Sequence, residues 1–222
     1  MNLSPVGRAS AALAFVLLFS CTSILGPRSG SAFSRPAETS DVQRLLAEGA
    51  RKVLGRRHLV VRGRSFPYDC TGLVLAIYWY AGIDLARDFA QYSGNGVTRL
   101  YHSLEKQNLL YSSSRPATGD VIFWDNTYDR NGDGAWNDSL THVGMVLASH
   151  PDGNIQYVHL NYTRGIVIES MSLLEPDLHK KLVRGQLRIL NSPIRLKEPG
   201  RPHPPLWLAG QLYRVLGMGY LF

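Results

Sequence analysis

The chain has 222 residues, of which 45% are hydrophobic, and it carries a formal net charge of +7 with a pI of about 9.6. This length is enough for one domain with a substantial core, and the sequence has no internal repeat. A basic surface suits an anionic partner, but no nucleic-acid-binding motif accompanies the charge, so we expect no nucleic-acid partner.

The N-terminus is typical of an export signal. A basic start precedes an apolar run at residues 11–19, which is too short for a comfortable membrane span. The following Leu18-Phe19-Ser20-Cys21 is similar to the lipobox of bacterial lipoproteins. We therefore expect residues 1–20 to be a signal peptide and Cys21 to be lipidated. Thr22, rather than an aspartate, favours the outer membrane, facing the periplasm. The alternative is an ordinary cleaved signal or a plain hydrophobic anchor.

Helical patterns dominate the first half of the mature chain. Residues 21–39, rich in Ser, Gly, Pro and Arg, are typical of a flexible tether. Ser40 or Asp41 then caps a helix with one apolar face, which Gly55 ends. After a basic loop, a nearly all-apolar and therefore buried helix is predicted. The basic loop covers residues 56–67, the buried helix 70–81, and a third predicted helix 97–107.

Strand patterns follow, and they complete an α+β domain at residues 40–195. The last segment, 196–222, has a Pro-rich bend and an apolar tail that Gly and Arg interrupt, so we expect it to pack on the domain rather than span a bilayer. The predicted strands are 120–124, 143–149, 155–160 and 165–170, with a turn at 151–153.

Cys70 is the residue most indicative of chemistry. Once Cys21 is assigned to the signal, Cys70 has no disulfide partner and is a free thiol at a predicted helix N-terminus, which favours the thiolate. His142 lies at a predicted strand end, and His159 lies on the next antiparallel strand. The three residues together suggest a cysteine nucleophile, a histidine base and an orienting group. The alternatives are a packing cysteine, a strand-capping His142 and an ordinary cross-strand His159.

Four segments resemble, in order, the core motifs of the NlpC-like peptidoglycan cysteine peptidases of the papain-like superfamily. The segments are Asp69-Cys70-Thr71-Gly72-Leu73-Val74, Gly119-Asp120-Val121-Ile122-Phe123-Trp124, Thr141-His142-Val143-Gly144-Met145-Val146 and Tyr157-Val158-His159.

The resemblance implies a papain-like fold in which N-terminal helices pack on a central antiparallel sheet. It also implies a thiol hydrolase of the cell envelope that cleaves amide bonds in peptidoglycan stem peptides, commonly at a D-γ-glutamyl link. Cys70 would be the nucleophile, His142 the base and His159 the orienting residue. Tyr68 and Asp69 would contact substrate. No cofactor would be required for catalysis.

Two other functions remain open at this point. The first is a catalytically silent envelope lipoprotein that binds wall peptides in the same cleft. The second is an acyltransferase or amidase that acts on lipid, which the apolar tail makes worth considering.

The loop before His142 resembles the first part of a calcium-binding loop. Oxygen-bearing side chains alternate and a glycine follows at the sixth position, as a hard cation requires. The candidate ligands are Asp129, Asn131 and Asp133, and Asp138 supplies a further charge in place of the missing twelfth-position glutamate. We therefore expect a structural calcium ion there; the alternative is a polar insert held by Asx turns.

Overall fold

Helices precede a sheet, as the sequence predicts. The computed structural model describes residues 40–195 and 204–222, which belong to one compact unit, Glu38–Phe222. The predicted signal peptide, Cys21, the tether and residues 196–203 of the Pro-rich bend lie outside the described residues. Within the described ranges, no helix is both long enough and apolar enough to cross a membrane.

The first helix, α1 (Asp41–Val53), begins at a capping box. The Ser40 hydroxyl accepts from the Gln43 backbone amide, and the Gln43 side chain accepts from the Ser40 amide at 3.0 Å. The Gln43 side-chain amide also donates to the Thr118 carbonyl at 2.9 Å, which ties the helix to the loop before the central sheet. Its buried face, which includes Leu46 and Ala50, confirms the predicted amphipathic helix.

The second helix, α2 (Cys70–Tyr80), lies between α1 and the sheet and is buried on most sides, as predicted. Asp69 caps it, and Asp69 Oδ1 accepts from the Gly72 amide at 2.7 Å. Gly72 is required because any Cβ there would overlap the Pro67 carbonyl. The close approach of this loop therefore sets where Cys70 begins the helix. The third helix, α3 (Gly96–Lys106), is capped by Asn95.

A six-stranded sheet forms the centre of the domain, and each neighbouring pair of strands in it is antiparallel. Its order is β3-β10-β4-β5-β6-β7, and α2 packs on β5 and β6. The predicted α+β class, with N-terminal helices packed on a central antiparallel sheet, is thereby confirmed. The strands are β3 (Leu110–Tyr111), β4 (Val121–Trp124), β5 (His142–Ser149), β6 (Ile155–Asn161), β7 (Gly165–Met171) and β10 (Tyr213–Gly217).

Three features depart from the sequence prediction. The basic loop contains a hairpin, β1 (Leu59–Val61) and β2 (Arg64–Phe66). A second hairpin, β8 (Lys180–Val183) and β9 (Gln186–Ile189), forms its own two-stranded sheet. Finally, β10 pairs with both β3 and β4, so the C-terminal segment supplies an inner strand rather than only packing on the domain.

Candidate active site

The two predicted histidines lie side by side. His142 begins β5 and His159 lies on β6, and His142 Nε2 is 2.9 Å from His159 Nδ1. Gly144, on the same face of β5 as His142, makes this possible because a Cβ there would lie 3.2 Å from the His159 Cβ and 2.9 Å from the Val158 carbonyl. The missing side chain leaves room for the His159 ring over β5.

A carboxylate that the sequence analysis missed extends the pair His142–His159 to a row of three hydrogen-bonded side chains. Glu169 lies on β7 opposite Tyr157, and its Oε2 is 3.0 Å from His159 Nε2. Its other oxygen pairs with Arg164, and Tyr157 donates to the carboxylate at 3.2 Å. Burial raises the pKa of Glu169, but the hydrogen bonds from His159 and Arg164 outweigh burial and lower it below the ordinary value. Glu169 is therefore ionised at neutral pH.

The row of hydrogen bonds determines which ring nitrogens carry protons. An ionised Glu169 only accepts, so His159 Nε2 carries a proton. His159 Nδ1 of the neutral ring then accepts, which places the proton of neutral His142 on Nε2. The lone pair of His142 is left on Nδ1. That nitrogen is the atom that is free to take a proton from a nucleophile.

Cys70, the first residue of α2, lies beside the start of β5. Its thiol is free and partly buried, and the Val143 backbone amide, next to His142, donates to it. Tyr128, about half exposed, lies near the thiol, because the charge of Cys70 acts on its hydroxyl. The structure thus brings the nucleophile candidate to the strand that carries the base candidate.

The thiol is not ionised at rest, contrary to the sequence expectation. Burial and the neighbouring Asp69 carboxylate raise the pKa of Cys70 to about 11, although hydrogen bonds from Val143 and Thr71 oppose the rise. The helix N-terminus does not yield a thiolate because the cap itself is an anion beside the sulfur. Burial, and then the neighbouring His159, lower the pKa of His142 well below its ordinary value. The Cys70 thiol and the His142 imidazole are therefore both neutral at rest.

The two predicted substrate contacts have different surroundings. Tyr68 is exposed at 43%, and its hydroxyl donates to the Arg56 carbonyl at 3.0 Å. That hydroxyl also lies 3.0 Å from where a Gly165 Cβ would be, so Tyr68 stands beside the β6–β7 turn. Asp69 is exposed, and one of its oxygens is used in capping α2.

The loop at 129–138 is held together by its own hydrogen bonds. Both Asp129 oxygens accept backbone amides, from Gly132 and Gly134, at 2.8 Å. Asn131 and Asp133 accept in the same way from the amides of Asp133 and Ala135. These bonds form the Asx-turn arrangement that was the alternative to calcium.

Asp138, the fourth candidate ligand, has different surroundings. It is buried, and its nearest charged partner is Arg130, at 3.9 Å from Oδ1. Over residues 40–195 and 204–222, no group of three or more His, Cys, Asp or Glu side chains is arranged to hold a metal ion. The calcium hypothesis stays a prediction.

A groove of about 660 Å³ lies beside the site. Residues from α3, including Thr98 and Tyr101, line one side, and Arg130, Leu140 and Arg214 line the other. A Cβ on Gly96 would meet Thr71 at 2.8 Å, so α3 starts against the residue that follows Cys70. Cys70, His142 and His159 are not among the residues that line the groove, so it is a neighbour of the site rather than part of it.

The family comparison agrees with this geometry. Residues 61–161 match the family model described as CHAP domain. This part of the chain is similar to CHAP domains. CHAP domains belong to the papain-like group of cysteine peptidases and amidases that includes the NlpC-like peptidases, so the predicted resemblance is confirmed at the level of that group. They are typically hydrolases that act on peptidoglycan. The match contains Cys70, His142 and His159 but ends before Glu169. The chain matches none of the curated proteins with which it was compared.

Proposed function

We propose that the protein is a cysteine hydrolase that cleaves amide bonds in peptidoglycan stem peptides, with Cys70 as nucleophile and His142 as base. The observation that carries the proposal is the row His142–His159–Glu169, which leaves the lone pair of His142 on Nδ1 at the strand that contacts the thiol. The CHAP domain supports peptidoglycan as the substrate class.

Catalysis begins from a neutral pair. The Cys70 proton moves to His142 Nδ1 as the sulfur attacks the amide carbonyl carbon, because neither group is ionised beforehand. The C–N bond then breaks, and His142 returns the proton to the leaving amine. Water attacks the resulting thioester and gives a proton to His142, and the acid product leaves as Cys70 regains its hydrogen. In both steps, His159 transfers no proton; its hydrogen bond to His142 holds the orientation of that ring.

Glu169 acts on His142 through His159. Its charge stabilises the positive ring that forms at His142, through His159, and it holds His159 in the tautomer that the base requires. Tyr68 is proposed to contact the peptide because its ring is exposed beside the β6–β7 turn, close to this row. Asp69 is proposed as a contact through its exposed edge.

Digestion of purified peptidoglycan, followed by mass measurement of the products, tests the function. We expect fragments with a new amine and a new carboxylate, whose masses identify the bond. Release of fatty acids from lipid substrates, while peptidoglycan is left uncleaved, would favour the lipid-acting alternative. Stable binding of wall fragments with no product would favour a silent binding protein.

We also propose that Cys21 is lipidated and anchors the protein in the envelope, in the outer membrane facing the periplasm. The support is the Leu18–Cys21 pattern after a short apolar run. Mass spectrometry of the mature N-terminus decides the matter. A lipidated Cys21 is expected, and an unmodified N-terminus beyond Cys21 would show an ordinary signal peptide.

A further inference from the structure

The β8–β9 hairpin is highly exposed, and we call it the basic hairpin (residues 180–189). It forms a sheet separate from the central one, and seven of its eight strand residues are exposed. The turn is tight, since both Arg184 and Gly185 have positive φ, at 50° and 76°. A two-stranded hairpin with so little burial is marginally stable in water on its own.

One face of the basic hairpin is apolar and uncovered. Leu182 pairs directly with Leu187, and Lys180 pairs with Ile189, so these four side chains share a face. Leu182 is exposed at 68%, Leu187 at 66% and Ile189 at 49%. Grouped apolar side chains at such exposure mark an interaction surface rather than the scattered exposure of an ordinary surface.

The charges of the hairpin all have one sign. Its charged residues are Lys180, Lys181, Arg184 and Arg188, and residues 178–190 contain no acidic residue. Lys181 pairs with Glu175 at 2.6 Å, outside the hairpin. Of the other three cations, Lys180 shares the apolar face, Arg184 lies in the turn, and Arg188 lies on the opposite face. Exposed leucines next to cations are complementary to anionic lipid headgroups above an acyl layer.

The base of the hairpin is firmly attached to the domain. His179 Nδ1 is 2.8 Å from the Asn191 carbonyl, and the His179 ring lies 5.0 Å from that of Trp207. The Asn191 side chain donates to the Leu178 and Glu175 carbonyls. Because the base is fixed while the strands are exposed, the hairpin projects as a unit with a defined orientation.

From these observations we infer that the basic hairpin is a membrane-contact element: Leu182, Leu187 and Ile189 enter the headgroup region of an anionic lipid surface, and Lys180 and Arg184 bind the lipid phosphates. Arg188, on the opposite face, adds to the electrostatic attraction. This role is independent of the proposed hydrolysis, because no residue of the hairpin belongs to the row His142–His159–Glu169. It is also separate from lipidation at Cys21.

The test places a reporter on the hairpin itself, so that an N-terminal anchor cannot mimic the signal. The full chain carrying Cys21→Ser, Cys70→Ala and Leu187→Cys is labelled with the environment-sensitive dye NBD. It is mixed with phosphatidylcholine vesicles with or without phosphatidylglycerol. Leu221→Cys in the same background is the control, because Leu221 is exposed at 60% and lies outside the hairpin.

We expect the Leu187 label to shift to the blue and brighten only with phosphatidylglycerol vesicles, and to be quenched by spin-labelled lipids, while the Leu221 label stays unchanged. Replacing Lys180, Arg184 or Arg188 with Gln should weaken vesicle binding by about fivefold per charge at low salt. In the unlabelled chain, Leu182→Gln with Leu187→Gln should weaken it by roughly tenfold or more.

Any one of five results would overturn the inference. The Leu187 label could stay in water with both kinds of vesicle, or both labels could respond alike, as in adsorption of the whole chain. An equal response to vesicles with and without phosphatidylglycerol would remove the role of the cations. A response that grows with protein concentration without vesicles, or that needs purified peptidoglycan instead, would assign the hairpin to self-association or to the wall.

Discussion

Replacing Glu169 with Gln should impair catalysis while leaving the fold intact, because the amide has one oxygen where the carboxylate has two. In the wild type, Arg164 binds one oxygen, and His159 and Tyr157 share the other. If the Gln oxygen stays with Arg164, its NH₂ faces His159 and reverses the tautomers of both histidines. His142 Nδ1 then carries a proton and cannot accept one.

The alternative orientation keeps the tautomers but turns the NH₂ toward the Arg164 guanidinium. It forfeits a charge-assisted hydrogen bond, which contributes about 1.5–3 kcal/mol. The active arrangement is then populated about 10- to 150-fold less, and kcat/KM should fall by that factor. The lower part of the range is expected, because the Arg164 side chain is 56% exposed.

Steady-state kinetics on a purified wall fragment measure the loss, and nitrogen-15 chemical shifts of His142 report the tautomer. Arg164→Met provides the matched control, since it removes the group that holds the Gln oxygen. Glu169→Gln with Arg164→Met should restore the tautomer and the activity lost with it, but not the activity lost with the Glu169 charge. Wild-type kinetics and unchanged shifts in Glu169→Gln, or no recovery in the double variant, would refute the tautomer argument.

Three further predictions concern the thiol, the base and the polar loop. Alkylation of Cys70 by iodoacetamide should accelerate toward pH about 11, and Asp69→Asn, which still caps α2, should speed it at neutral pH; a flat rate across the neutral range would instead indicate a resting thiolate. The pKa of His142 is lowered on folding, so the free energy of unfolding should fall as pH drops below about 6.5, by up to about 1.4 kcal/mol per pH unit. Urea unfolding should show a weaker pH dependence of this free energy in His142→Gln than in the wild type. The same pH dependence in both proteins would show that His142 is not buried in the neutral form. If the loop at 129–138 binds calcium with a Kd of about 10⁻⁴–10⁻³ M, millimolar calcium should raise the Tm of the wild type but not of Asp133→Ala, and equal melting of both would identify an ordinary polar loop.

Local signals were enough for the helices and for the pairing of the two histidines. The capping box at Ser40 and the one-sided apolar pattern define α1 within a few residues. The turn at 151–153 joins two predicted strands, and alternation along them places His142 and His159 at neighbouring positions.

The missed features depend on distant partners. Glu169 was visible only as a charged residue within a predicted strand, and its role follows from the β6–β7 register, which brings it opposite Tyr157. The strand β10 pairs with β4, about ninety residues earlier in the chain, and its short apolar run gives no sign of that partner. The pKa of Cys70 was misjudged because the helix dipole was considered without the burial of the thiol, which is the larger cause, and without the charge of Asp69.

The central claim is that Cys70 is the nucleophile of a peptidoglycan amide hydrolase. The most direct test compares product formation from soluble peptidoglycan fragments by the wild type, Cys70→Ala and Cys21→Ser, which removes the other cysteine as a matched control. We expect Cys70→Ala to lose several orders of magnitude in rate with an unchanged Tm, and Cys21→Ser to keep the wild-type rate. Hydrolysis by Cys70→Ala at the wild-type rate would contradict the account.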